Sequence, residues 1–430
     1  MARRCIDSQV YYRMSYFSLQ WSSRVLSLGT VAIALAVLTI RPTVHAARPE
    51  AGQAAQREAG STGASSGRPA TDEPRWGNLV VEPIVISPPL EYIPVEDPPA
   101  RPPRWFFPTE SADELFAMLS GAGFAPAEAA RLRQAAVAST AGARGFVISP
   151  SPDYVRGLDT RVRARLYRLL ARSPENVAQQ TAYRYYGDSV DTWLGPDLPA
   201  RIRALVDPLV YRDEDFLFFA DLELVRAEIG AGRDLQLLVK RLLSQATAMV
   251  RLRVEPGARV DDLVEYWGRG GRKTDIRPLL ESIGSGPEAR TVDISHLLPE
   301  LPRRLLYRYP KVTLADLAKP QLANCFWTAL NFFASEPDDR LLDPATAMEH
   351  LRREYYLVQD ELQLGDIVAF SDRNLKMFHV AVYVADDLVF TKNGYFSLAP
   401  WTILPMERLK GHFAEHRDDW RVTYYRRSDF

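Results

Sequence analysis

The sequence predicts an α+β protein, with a mostly helical N-terminal domain followed by a domain that carries a small antiparallel sheet. Three observations predict it. From about residue 109 to 310, apolar residues recur at helical spacing in segments bounded by Gly, Pro or Asp. From about 312 the pattern changes to one helix followed by short runs of alternating apolar residues. Between those runs stand the turn-forming pairs Gly365-Asp366 and Asp386-Asp387, so the strands read as a meander.

The first element is a leader. Arg3, Arg4, Arg13 and Arg24 precede an uncharged apolar run, Val25 to Ile40, and Val44-His45-Ala46 then offers small residues for a signal peptidase. The run is about 16 residues, short of the roughly 20 that span a bilayer, so residues 1–46 read as a signal peptide, with an uncleaved anchor as the alternative. The expectation is an exported protein, periplasmic, in the cell envelope or extracellular, with no stable membrane span after cleavage. The leader holds five arginines and one aspartate; a net −1 for the whole chain, less the leader's +4, leaves −5. That acidic balance argues against nucleic acid as a partner.

Residues 47–103 are rich first in Ala, Gly, Ser and Gln and then in Pro, a composition that cannot bury enough apolar surface to offset ordering entropy. They read as a disordered tether; Leu79-Val80-Val81 and Ile84-Val85-Ile86 could form an edge strand, but the prolines around them argue against it. Residues 104–310 form the helical domain. Its candidate helices are Ser111 to Leu119, Pro126 to Ala138, Asp159 to Arg172, Leu198 to Val206, Leu222 to Ile229, Leu235 to Thr247, Val260 to Trp267 and Ile276 to Ile283. Ala248 to Val254 alternates and reads as a strand. Residues 311–430 form the last domain: a helix opening at Cys325, a second from Pro344 to about Tyr355, and strands at Ile367–Phe370, Phe378–Val384, Leu388–Lys392 and Arg421–Tyr425.

Without the leader, which holds Cys5, the chain has a single cysteine, Cys325. An exported protein with one thiol has no disulfide to explain it. Pro320 breaks the preceding chain, and Phe326, Ala329, Leu330 and Phe333 follow at helical spacing, which places Cys325 in the first helical turn. There the helix dipole favours a thiolate, and an imidazole can activate it further. His379 opens a strand 54 residues downstream. A third polar residue would fix its tautomer. On the next strand, Thr391 and Asn393 share one face while Lys392 points to the other; Asn393 carries the better acceptor.

At Asn324-Cys325, Leu364-Gly365-Asp366 and His379-Val380-Ala381-Val382-Tyr383, the chain resembles the NlpC-type cell-wall peptidases of the papain-like cysteine peptidase superfamily. The resemblance covers roughly residues 321 to 401. It implies a papain-like fold for 311–430, no cofactor, catalytic Cys325, His379 and Asn393, and hydrolysis of an amide bond, with a peptide or cell-wall peptide as substrate, or acyl transfer from it. Phe326-Trp327 replace the small residues usual in that family, and Thr391 stands where its third catalytic histidine falls. The rival expectation is a noncatalytic envelope binding or scaffold protein with a vestigial papain-like domain.

Other motifs read as structural. His412-Phe413-Ala414-Glu415-His416 matches H-x-x-E-H, but no glutamate follows to complete a zinc site, so no metal is expected. Gly268 to Thr274 lacks the glycine before lysine of a phosphate-binding loop and reads as a helix end. Tyr183, Tyr185, Tyr186 and Trp193 read as core or as an interdomain surface rather than a sugar platform.

Overall fold

The computed structural model describes residues 74–93, 101–139, 143–311, 322–392, 398–414 and 420–429. The leader and the first part of the expected tether lie outside these residues. The fold is mixed α+β, with several small antiparallel sheets and one antiparallel sheet of six strands.

The later part of the expected tether is not a tether. Asn78–Ile86 forms strand β1, antiparallel to the long strand β8 (Gln245–Val254), with Pro83 opposite Ala248. Proline is tolerated because β1 is an edge strand, where its missing N–H withholds no bond from a second neighbour. Two apolar runs that look too short alone are thus joined across the proline. The Trp76 carbonyl accepts from the Trp267 indole N–H at 3.0 Å, anchoring the chain just ahead of β1.

The region expected to be mostly helical also contains short strands built from aromatic and apolar runs. Trp105–Phe107 (β2), Val137–Ala138 (β3) and Phe146–Ile148 (β4) make one three-stranded sheet; Tyr183–Tyr186 (β5), Tyr211–Asp213 (β6) and Phe216–Phe219 (β7) make another. Runs this short carry too little periodicity to be told from helix in the sequence. The helix at Thr160–Leu170 forms as expected, with Asp159 capping the N–H groups of Arg161 and Val162. It carries the buried Arg163, whose guanidinium meets Asp221 at 2.9 Å, while the Tyr167 hydroxyl donates to the same carboxylate at 2.7 Å.

The apolar cores do not part at residue 310. One large cluster of described residues runs from Trp105 to Leu242; another begins in β8 at Ala248 and takes in residues as far as Ile403. In the second core, β8 and Arg290–Asp293 (β9) pack with the helix Val260–Trp267 against the C-terminal elements. The Thr247 hydroxyl donates to the Ile403 carbonyl at 2.8 Å, and the Tyr266 hydroxyl donates to the Val384 carbonyl at 2.7 Å. Residues 245–311 therefore belong physically with the C-terminal sheet.

That sheet runs in the order β10 (Tyr355–Leu357), β15 (Trp420–Arg427), β11 (Ile367–Asp372), β12 (Met377–Ala385), β13 (Leu388–Lys392) and β14 (Trp401–Pro405). The helices Cys325–Leu330 and Pro344–Glu354 cover one face, and Met406–Ala414 covers the other. Gly365, at φ +94°, makes the turn into β11, and a Cβ there would come within 2.2 Å of the Phe333 ring. Beside it, Arg426 of β15 grips the buried Asp366 bidentately at 2.9 and 2.7 Å, and Asp366 also accepts from the Gln363 N–H. The glycine and the aspartate of this turn thus have separate structural tasks.

Arg426→Met leaves Asp366 buried without its partner, so it is expected to cost about 3–5 kcal/mol in urea unfolding. Starting the chain at residue 88 removes β1 and the Trp76 anchor, and should lower the thermal midpoint by several degrees. A midpoint that does not move would mean that β1 adds nothing to the fold.

Candidate active site

Cys325 is the first residue of its helix, and the Asn324 side chain caps that helix by accepting from the Trp327 N–H at 3.0 Å. The thiol is only 6% exposed. Burial pushes its pKa up to about 11, against the opposing pull of the backbone N–H groups of Val380, Phe326 and Cys325 and of the Lys392 ammonium. The Trp327 indole turns into the core and donates to Asp339 at 3.1 Å.

The sheet's period of two sorts the remaining candidates. Val380 and Val382 of β12 and Phe390 of β13 pack in the core that contains Cys325. Ala381, Tyr383 and Val389, their alternates, pack in the core under the helix Met406–Ala414. His379 goes with the second set. It stands opposite Phe370 on β11, and its ring lies 4.6 Å from the Phe413 ring, centroid to centroid. The structure therefore does not bring His379 to Cys325: the two occupy opposite faces of one sheet.

The partner of His379 does lie on the expected strand. Thr391 Oγ1 is 3.0 Å from Nε2 of His379 and donates to the Val380 carbonyl at 3.4 Å. Burial, followed by the nearby Arg184 charge, lowers the His379 pKa to about 3, so the ring is neutral. Asn393, the preferred third residue from sequence, lies outside the described residues.

What sequence reasoning left aside is Lys392. It is 1% exposed, on the Cys325 face. Its ammonium donates to the Ala399 carbonyl at 2.8 Å and lies 5.0 Å from the Trp401 ring centroid. The Trp401 N–H in turn donates to Thr328 on the Cys325 helix at 2.9 Å. Burial lowers the Lys392 pKa to about 7, with Cys325 pulling it back up. The signal was present in the sequence, since Leu388, Phe390 and Lys392 share a face whose first two residues are apolar.

Of the motifs set aside, Gly268 does end the helix Val260–Trp267, and Gly270 and Gly271 turn the chain with positive φ. Tyr185 stacks on the fully buried Trp193 at 5.8 Å. Of the two histidines of the H-x-x-E-H run, His412 contacts Arg184, while Glu415 and His416 lie outside the described residues. Comparisons with protein-family models, with curated proteins and with solved structures find no match for this chain.

His379 supplies a pH test. Its folded pKa is lowered, so between about pH 6.5 and 3 the unfolded chain binds a proton that the folded chain refuses. Its contribution is present above pH 6.5 and is lost as pH falls, by up to about 1.4 kcal/mol per unit. Urea unfolding at pH 7 and pH 5 should show a smaller acid loss for His379→Phe than for the wild type. Equal losses would mean that the ring is protonated in the fold.

Proposed function

We propose that the C-terminal body carries thiol chemistry, with Cys325 as nucleophile toward an amide carbonyl and Lys392, in place of a histidine, as proton acceptor. The observation that carries this reading is that Cys325 opens a helix while the buried Lys392 lies on the same side of the sheet, and each charge favours the ionised form of the other. A base with a pKa near 7 is matched to neutral pH, because it is substantially unprotonated there yet still basic enough to take a proton.

In the reaction the neutral Lys392 amine takes the thiol proton as the sulfur bonds to the carbonyl carbon. The resulting ammonium returns that proton to the leaving amine as the C–N bond breaks. Water then hydrolyses the thioester, or a second amine accepts the acyl group. At the helix start, backbone N–H groups are placed to bear the negative charge that develops during attack. The helix-on-sheet arrangement and the motif order support a papain-like reading, and cell-wall peptide is the first substrate class to test. The leader supports an exported location.

A specific observation favours the rival reading of a noncatalytic envelope binding or scaffold protein: burial holds the resting thiol at a pKa of about 11. Turnover separates the two. With cell-wall peptide fragments, Cys325→Ala should abolish cleavage, and Lys392→Met should slow it at least about 100-fold, the lower range for a lost general base. His379→Gln, on the other face, should change the rate only a few-fold in protein that remains folded. Activity should rise with pH through about 7 as Lys392 loses its proton. Absence of cleavage, together with a Cys325 that resists iodoacetamide in the native protein, would establish the noncatalytic reading.

A further inference from the structure

On the face of the C-terminal sheet away from Cys325, a partly open cavity of about 50 Å³ lies between the two cores. Its walls include Tyr186 and Phe216 from the N-terminal body, Thr402 of β14, and Arg408 and His412 of the helix Met406–Ala414. Arg184 of β5 completes it, with its guanidinium donating to the His412 carbonyl at 3.3 Å. No aspartate or glutamate is among the described lining residues.

Arg408 is the telling group. Among the described residues its one hydrogen bond is from Nη2 to the Ala246 carbonyl, at 2.8 Å, and it meets no carboxylate. A guanidinium has five N–H donors in a planar fork, so most of this one's hydrogen-bonding capacity is unused by protein. Its carbon lies 4.3 Å from the Tyr186 ring centroid, within cation–π range. Burial drags its pKa down to about 10, the Tyr186 and Tyr185 hydroxyls only partly opposing. The half-buried guanidinium has no carboxylate partner among the described residues, and a bound anion would offset its partial desolvation.

We infer that this cleft is a binding site for an oxyanion, a carboxylate or phosphate group, gripped by the Arg408 fork and seated against Tyr186 and Phe216. The cavity admits the anionic head of a ligand, and the rest of the molecule extends through its open side. Cys325 is not among the lining residues, and the proposal does not depend on the thiol reading.

The test is calorimetric titration of the full-length protein at fixed ionic strength with three probes. These are inorganic phosphate, a short peptide with a free C-terminal carboxylate, and the same peptide as its C-terminal amide. The expected result is saturable binding of phosphate, of the free-acid peptide or of both, with no binding of the amide. Phosphate alone would indicate a phosphoryl ligand, and the free acid alone a peptide end. Arg408→Gln should weaken the bound probe at least tenfold. Arg408→Lys, which keeps the charge and loses the fork, should weaken it several-fold and covers the case in which the glutamine variant does not fold. Failure of both acids to bind, equal binding of the amide, or unchanged affinity in a folded Arg408→Lys protein would each overturn the proposal.

Discussion

The Arg426–Asp366 ion pair holds β15 and the start of β11 in one register, and the arrangement of the C-terminal body follows from that register. Both groups are largely withdrawn from water, so the pair must be bidentate and additionally bonded to be tolerated, and here it is. A slip of one residue would break both guanidinium bonds and turn every side chain of the strand to the opposite face. Because β12 and β13 are hydrogen-bonded onward from β11, the same register decides which of their residues look toward the Cys325 helix and which toward Met406–Ala414.

Around Cys325, opposing terms of similar kind are balanced. Desolvation disfavours both the thiolate and the ammonium, while the backbone N–H groups and the mutual attraction of Cys325 and Lys392 favour the ionised pair. Desolvation prevails in the resting state. In the proposed reaction, a substrate carbonyl that bonds to sulfur would remove the need to carry a free thiolate, because proton transfer and attack would proceed together. His379 meets the same desolvation with a different outcome. Packed at a tilt between the Phe370 and Phe413 rings, with no counter-charge among the described residues, it stays neutral and serves the packing under the helix Met406–Ala414.

The two bodies are joined by β8, whose first residues reach β14 while its length carries β1 and β9. This strand makes residues 245–311 part of the C-terminal core and leaves a basic cleft on the other side of the seam.

The sequence by itself determined the local elements whose signals are short-range. Asp159 was legible as a helix entry, Gly365-Asp366 and Asp386-Asp387 as turns, and the runs at β11, β12, β13 and β15 as strands, because capping, positive φ and alternation are properties of neighbouring residues. It also determined that Cys325 begins a helix, that Thr391 and Asn393 share one face of their strand, and that Lys392 points the other way. What it could not determine was which face of the sheet meets the helix. Alternation fixes relative directions along a strand, but only the packing of helices on the two sides assigns those directions to a core. That assignment, made by the tertiary structure, separates His379 from Cys325, brings Lys392 to the thiol's side, and turns a proline-interrupted segment into the edge strand β1, since only a partner strand can supply the hydrogen bonds that hold it.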